Sequence, residues 1–255
     1  MDGRSVQQQS QLGQIGWSMN CKTILYAMAV ATLVATACTS APNSLSRSER
    51  REGYELLFNG HDLGGWQGAT EGYYVADGAI CSREGFNNLY TQREYGDFVL
   101  RFEFSFSEEG VNSGIGIRTP MGVDAAYYGM CEVQILDHDA PIYAGLRDYQ
   151  VHGSVYGIAP AERIVHKPLG EWSEQEIRVV GDRVTVSVDG RVIVDCDVRE
   201  ACGGQNVGTT GDFRNPATYD GYDHPGLFNA AGYVGLLGHG AGARFRNIRI
   251  LDLGR

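Results

Sequence analysis

Apolar and polar positions alternate with a period of two through most of the chain. Phe98, Leu100, Phe102, Phe104 and Phe106 fall on one side, and Val99, Arg101, Glu103 and Ser105 on the other. This spacing predicts a strand with one apolar face. Residues 176–196 read as three strands in succession, EIRVV, RVTVSV and RVIVDC. Gly181-Asp182 and Asp189-Gly190 separate them, and the second pair is a strong two-residue hairpin signal. Residues 74–81, 114–118, 131–136, 153–158, 233–237 and 243–251 also read as strands. No segment carries a helical stripe, and a parallel α/β sheet would need helical crossovers. About eleven short strands with glycine turns predict an all-β protein built as a β-sandwich.

The longest apolar run, residues 24–37 (ILYAMAVATLVATA), breaks this pattern. Its fourteen residues fall short of the roughly 20 that a spanning helix needs. Lys22 precedes it, small residues close it, and Cys38 follows. This is the layout of a secretory signal, with Met19 as a plausible true start. Ala35-Thr36-Ala37-Cys38 resembles a bacterial lipobox, in which the cysteine is lipidated and becomes the mature N-terminus. Cleavage nearby without a lipid is the alternative. Thr39 stands where an aspartate would resemble an inner-membrane retention signal. The expectation is a lipid-anchored protein of a Gram-negative envelope, in the outer membrane or periplasm. Residues 38–52 are polar and read as a tether, and residues 53–255 as one domain.

Composition narrows the partners. Glycine is 35 of 255 residues, about twice the usual share of roughly 7%, which suits many tight turns. The formal charge is -10, and removal of residues 1–37 takes it to -11. That balance disfavours nucleic acid. Only Lys22 and Lys167 are lysines. Cys81, Cys131, Cys196 and Cys202 remain beyond the leader, bound for a compartment that permits disulfides. Cys196 and Cys202 enclose a short loop and are candidates to pair, with buried free thiols as the alternative. No CxxC is present, which argues against a cysteine zinc site.

Several polar residues fall where strands would gather them. Asn112 and Arg118 share the face opposite Ile115 and Ile117, and Glu132 and Gln134 lie opposite Val133 and Ile135. Two such strands, flanked by glycine, can line a polar groove. Asp137, His138 and Asp139 offer oxygen and nitrogen ligands at the end of the second strand. His152 precedes a short strand that carries Tyr156, a candidate acid or base. Lys167 can stabilise an oxyanion. His239 sits between glycines at a strand end, and an imidazole suits general-base work near neutrality. Trp66, Trp172, Tyr73, Tyr127, Tyr128 and Tyr143 are aromatic surfaces on which sugars can stack. Motifs for serine hydrolases, zincins, P-loop enzymes and dinucleotide oxidoreductases are absent from the sequence, so no nucleotide cofactor is expected.

The order of several segments then resembles one family. Leu57-Phe58-Asn59-Gly60-His61-Asp62-Leu63 with Trp66 is similar to the opening of the 3-keto-disaccharide hydrolase domain. Leu89-Tyr90-Thr91 with Tyr95-Gly96-Asp97-Phe98, then Asn112-Ser113-Gly114-Ile115 with Arg118, continue it. Glu132-Val133-Gln134-Ile135-Leu136-Asp137, Lys167-Pro168 with Gly170-Glu171-Trp172, His224-Pro225-Gly226 and Leu237-Gly238-His239-Gly240 complete it. Cys131 and Ser173 depart from the family pattern, which has tyrosine and asparagine there.

The resemblance implies a concanavalin A-like jelly-roll sandwich of two antiparallel sheets that cleaves 3-keto-glycosides supplied by a separate sugar 3-oxidoreductase. On this reading His239, Glu132, Lys167 and Tyr156 are catalytic candidates. Arg118, Asn112, Gln134, His152 and Trp172 would bind the sugar. Asp137, Glu132 and His239 are the candidate ligands of a divalent metal ion. A non-catalytic carbohydrate-binding lipoprotein is the rival reading, and a structural envelope protein ranks last.

Overall fold

The apolar side of residues 98–106 becomes the middle of a two-sheet core. In the computed structural model, which describes residues 41–254 apart from the side chains of Phe86 and Asn87, thirteen strands are formed. They are β1 (Glu55–Leu56), β2 (Trp66–Gly68), β3 (Tyr73–Ala76), β4 (Ala79–Ser82), β5 (Phe86–Tyr95), β6 (Phe98–Phe106), β7 (Asn112–Thr119), β8 (Cys131–Leu136), β9 (Ser173–Val180), β10 (Arg183–Val188), β11 (Arg191–Asp197), β12 (Gly232–His239) and β13 (Ala243–Asp252). The larger sheet runs β11-β10-β9-β6-β13-β4-β3, with β1 also on β13, and the smaller runs β2-β5-β12-β7-β8. Every ladder is antiparallel. The sandwich expected from the period-two pattern is the one observed.

Alternate residues of both sheets meet in one core. Phe98, Leu100, Phe102 and Phe104 of β6 join Ile115 and Ile117 of β7, Val133 and Ile135 of β8, and Val234 and Leu236 of β12. Burying each such side chain contributes roughly 1.5–3 kcal/mol. Tyr73 Oη crosses between the sheets and donates to Leu236 O at 2.8 Å. The turns follow the predicted chemistry. Asp189 and Gly190 both take positive φ, at 47° and 81°, as a tight hairpin of this hand requires.

Several expectations are corrected. Residues 74–81 form a hairpin, with Asp77-Gly78 as its turn, rather than one strand. Residues 153–158 make only isolated bridges. Val155 pairs with Val133, and the chain then folds back to Ala159. Part of the polar segment read as a tether is folded. The helix α1 (Arg47–Glu52) has a capping box, in which Ser46 and Glu49 satisfy each other's backbone N–H groups. Glu49 is buried and meets Arg249 Nε at 2.5 Å on the outer face of the larger sheet. Cys81, Cys131, Cys196 and Cys202 are all unpaired. Burial raises the Cys131 thiol pKa and pushes that of Cys196 up to about 12. The leader and Cys38 lie outside the described residues.

Candidate active site

The outward face of the smaller sheet carries the polar residues of β7, β8 and β12. Period two sends Val133 and Ile135 inward and leaves Glu132 and Gln134 on the other face. Neighbouring β7 contributes Asn112, Gly114 and Gly116 to that face, through the register Asn112↔Leu136, Gly114↔Gln134 and Gly116↔Glu132. A side chain at Gly114 would run into the Glu132 carboxylate. The glycine is therefore the space in which that carboxylate lies. His239 closes β12 beside them.

Two adjoining hollows, of ≈ 300 Å³ and ≈ 170 Å³, share Asp124, Glu132 and His239 in their walls. Glu132 Oε1 is buried and accepts no hydrogen bond. His239 Nε2 stands 3.5 Å from it, an ion-pair distance longer than a normal hydrogen bond. The Glu132 carboxylate, opposed by burial and helped by Asp124, raises the His239 pKa above its usual value near 6.5. Gln134 Nε2 donates to Asn112 Oδ1 at 2.8 Å, which fixes both amides on the groove wall. Tyr156 completes the wall. Its backbone N–H donates to Glu132 O at 3.0 Å, and burial raises its phenol pKa, so the phenol is a proton donor rather than an anion.

A second tier holds these groups. The helix α2 (Ala125–Tyr128) starts at Asp124, whose carboxylate caps Ala126 N. It brings Tyr127 to the groove. Behind Tyr127, His224 is fully buried. Its Nδ1 lies 2.8 Å from Ala126 O, and its Nε2 lies 3.2 Å from both Asp220 oxygens. Tyr127 Oη donates to Asp220 Oδ2 at 3.4 Å. Gly157, directly after Tyr156, has φ 73° and leaves no room for a side chain against Asp220 and His224. The strand pattern of the sequence does not mark Asp124, Asp220 or His224 as site residues. The His224-Pro225-Gly226 segment was the available signal.

Other expected site residues lie elsewhere. Arg118 is 1% exposed and donates to Gly96 O, Gly181 O, Asn229 O and Asp97 Oδ1. The β7–β12 register shifts beside it and its φ is 45°, so its side chain leaves the face that simple alternation assigns. His152 is fully buried in the core against Phe104, His138 and His166. Its Nδ1 accepts from Leu136 N, so Nε2 carries the proton toward Gln175 Oε1. Burial and the two neighbouring histidines hold its pKa well below the usual value. Lys167 Nζ donates to Trp172 O and Asp189 Oδ1, tying a loop to the β10–β11 turn. Trp172 lies under the guanidinium groups of Arg244 and Arg246 at 5.1 and 4.1 Å. Trp66, Tyr73 and Tyr143 direct their polar atoms to backbone carbonyls.

The proposed metal ligands are also separated. Asp137 lies one residue beyond β8, accepts from Gly110 N at 2.9 Å and influences His166 on the core side. Glu132 and His239 thus lack the third ligand expected of them. Among the described residues no three His, Cys, Asp or Glu side chains are placed to hold a metal ion together. The side chains present do not fit the divalent metal that the resemblance suggested.

An all-β sandwich that lays a carboxylate, an imidazole, a phenol and two amides along one sheet face has the equipment for handling sugars, and comparison with known proteins gives a glycoside hydrolase-like role. The chain belongs to the 3-keto-alpha-glucoside-1,2-lyase-like domain family, whose model matches residues 53–251. It is 24% identical over 247 residues to a 3-keto-disaccharide hydrolase of Bacteroides thetaiotaomicron, covering 82% of this chain and 81% of that one. Two crystal structures of Parabacteroides distasonis proteins, each named as a candidate glycosyl hydrolase, share the fold. One has a TM-score of 0.69 at 24% identity, over 84% of this chain and 100% of that chain. The other has a TM-score of 0.63 at 25% identity, over 78% and 99%.

Proposed function

We propose that the groove cleaves 3-keto-glycosides by elimination followed by hydration. The observation that carries this reading is the buried Glu132 carboxylate, whose Oε1 lies 3.5 Å from His239 Nε2 on the groove wall. A C3 carbonyl makes the C2 proton acidic. His239 takes that proton, and Glu132 stabilises the imidazolium that forms. The C2–H electron pair moves into an enolate, with Tyr156 and Gln134 as hydrogen-bond donors to its oxygen. Re-formation of the C3 carbonyl then expels the C1 substituent as an alkoxide, which takes up the proton held on His239 and leaves as the alcohol. Water adds across the resulting enone, hydroxyl to C1 and proton to C2, so the net change is hydrolysis. No oxocarbenium ion is formed, and the carboxylate pair of ordinary glycosidases is not required. Lys167 and Arg118 take no part, being held elsewhere.

The keto sugar would come from a separate enzyme that oxidises the C3 hydroxyl. The leader would place the hydrolysis in the cell envelope. Incubation with a glucoside and its 3-keto derivative tests the reading. Cleavage of the keto sugar alone is expected, and His239→Ala should lower kcat/KM by about 10²–10⁴-fold. Full activity in that variant would remove His239 as the base. Saturable binding with no cleavage in the wild type would instead favour the non-catalytic carbohydrate-binding lipoprotein.

A further inference from the structure

Beside the groove, and sharing Asp124 and Tyr127 with it, lies a third hollow of ≈ 190 Å³. Its remaining walls include Tyr128, Phe213, Tyr222 and Pro225. We propose that this hollow is the leaving-group subsite and that it takes a pyranose ring. The inference rests on the reading of the groove as the site of C1–O cleavage.

Three observations support it. Phe213 is 71% exposed with φ 61°, a left-handed backbone that a bulky residue adopts at a cost. A large apolar ring held in the open in a strained conformation contributes nothing to the core. Next, the segment between α3 (Val198–Ala201) and β12 has no helix or strand of its own, yet it is tightly held. Asp223 N donates to Phe213 O, Arg214 bridges Tyr222, and Gly226 N donates to Tyr127 O. Gly226 packs so closely on Tyr128 O that a side chain there would collide. Long ordered loops of this kind are commonly binding elements. Third, Arg214 lies 4.3 Å over the Tyr222 ring, which fixes that ring in place.

The wall chemistry selects the occupant. Aromatic faces match the flat C–H face of a pyranose. Asp124 spends one oxygen on Ala126 N, and its second oxygen suits a sugar hydroxyl. An arene would use the rings and leave the carboxylate unmatched. Asp124 also lines this hollow together with the two that hold Glu132 and His239, so it joins the space for the C1 substituent to the space where C2 would face that pair.

Phe213→Asn removes the ring and keeps a residue that tolerates positive φ. Tyr128→Ser is a second, independent variant. For each, kcat/KM is measured on a 3-keto-disaccharide, a phenyl 3-keto-glucoside and a methyl 3-keto-glucoside. The disaccharide-to-methyl ratio should fall about tenfold, with a smaller fall in the phenyl-to-methyl ratio. Unchanged ratios overturn the subsite, and a fall confined to the phenyl ratio replaces the pyranose by an arene. If the wild type cleaves none of the three, the groove reading fails by itself. The subsite is then judged by equilibrium binding of the unoxidised disaccharide. Binding about tenfold weaker in Phe213→Asn supports it, and equal or absent binding in the wild type overturns it.

Discussion

At the residue scale, the site depends on where one carboxylate is allowed to lie. Glu132 occupies the space above Gly114, so Gly114→Ala should displace the carboxylate without removing any functional group. Displacements of this size can cost on the order of 10²-fold in rate, read as kcat on a 3-keto-glucoside with an unchanged far-ultraviolet spectrum. Lys167→Ala should stay within about twofold of wild type, because its ammonium is tied to Trp172 O and Asp189 and its pairing is a half-exposed one. The raised His239 pKa has its own consequence. A base works only when unprotonated, so kcat/KM should climb with pH along a limb centred above about 6.5. Nuclear magnetic resonance titration of the imidazole should show its pKa falling in Glu132→Gln, since the largest cause of the shift is then removed. A titration that does not move would detach the two side chains.

At the scale of elements, strand alternation made half the groove readable in advance. Glu132 and Gln134 were placed on one face because period two leaves no other choice for β8. Arg118 failed the same rule for a local reason. The shifted register and left-handed backbone at that residue rotate it out of the pattern, and neither is visible in an alternation of residue types. His152 failed for a long-range reason, since its surroundings come from β6, β9 and the segment around His166. Asp124 caps, and Tyr127 lies on, a four-residue helix too short to leave a stripe. In the sequence Tyr127 reads only as an available ring. The helix α1 was hidden by its polar composition, although the Ser46…Glu49 spacing carries a capping box. Ser46→Ala should lower stability by about 1 kcal/mol, measured as a shift of the urea midpoint at constant slope. No shift would make the helix an ornament of the domain rather than part of it.

At the scale of the whole molecule, a cluster of two buried histidines and one half-buried one sets how the fold responds to acid. His138, His152 and His166 pack in one cluster near Asp137 and Asp139. Burial lowers the pKa of all three, that of His166 to about 4. Between about pH 6.5 and about pH 4 the unfolded chain binds protons that the folded chain refuses, so stability falls as pH falls. The slope is on the order of 1.4 kcal/mol per pH unit for each histidine still neutral in the fold. His239 acts in the opposite sense, adding stability below about 6.5 that is lost as pH rises through its raised pKa. Urea midpoints from pH 7 to pH 5 should therefore decline, and His166→Phe should flatten the decline. A level profile in the wild type would mean that the cluster opens or accepts protons in place.

The clipped Lys167 has a practical side. With Lys22 it is one of two lysines in the whole chain, and among the described residues it is the sole one. Its side chain is 39% exposed, and its ammonium sits by Trp172 and the β10–β11 turn, on the larger sheet rather than the smaller one. Amine-reactive reagents therefore have a single side-chain target within the sandwich. A fluorophore or a solid support attached there would mark every molecule at the same point and leave the groove of the smaller sheet open.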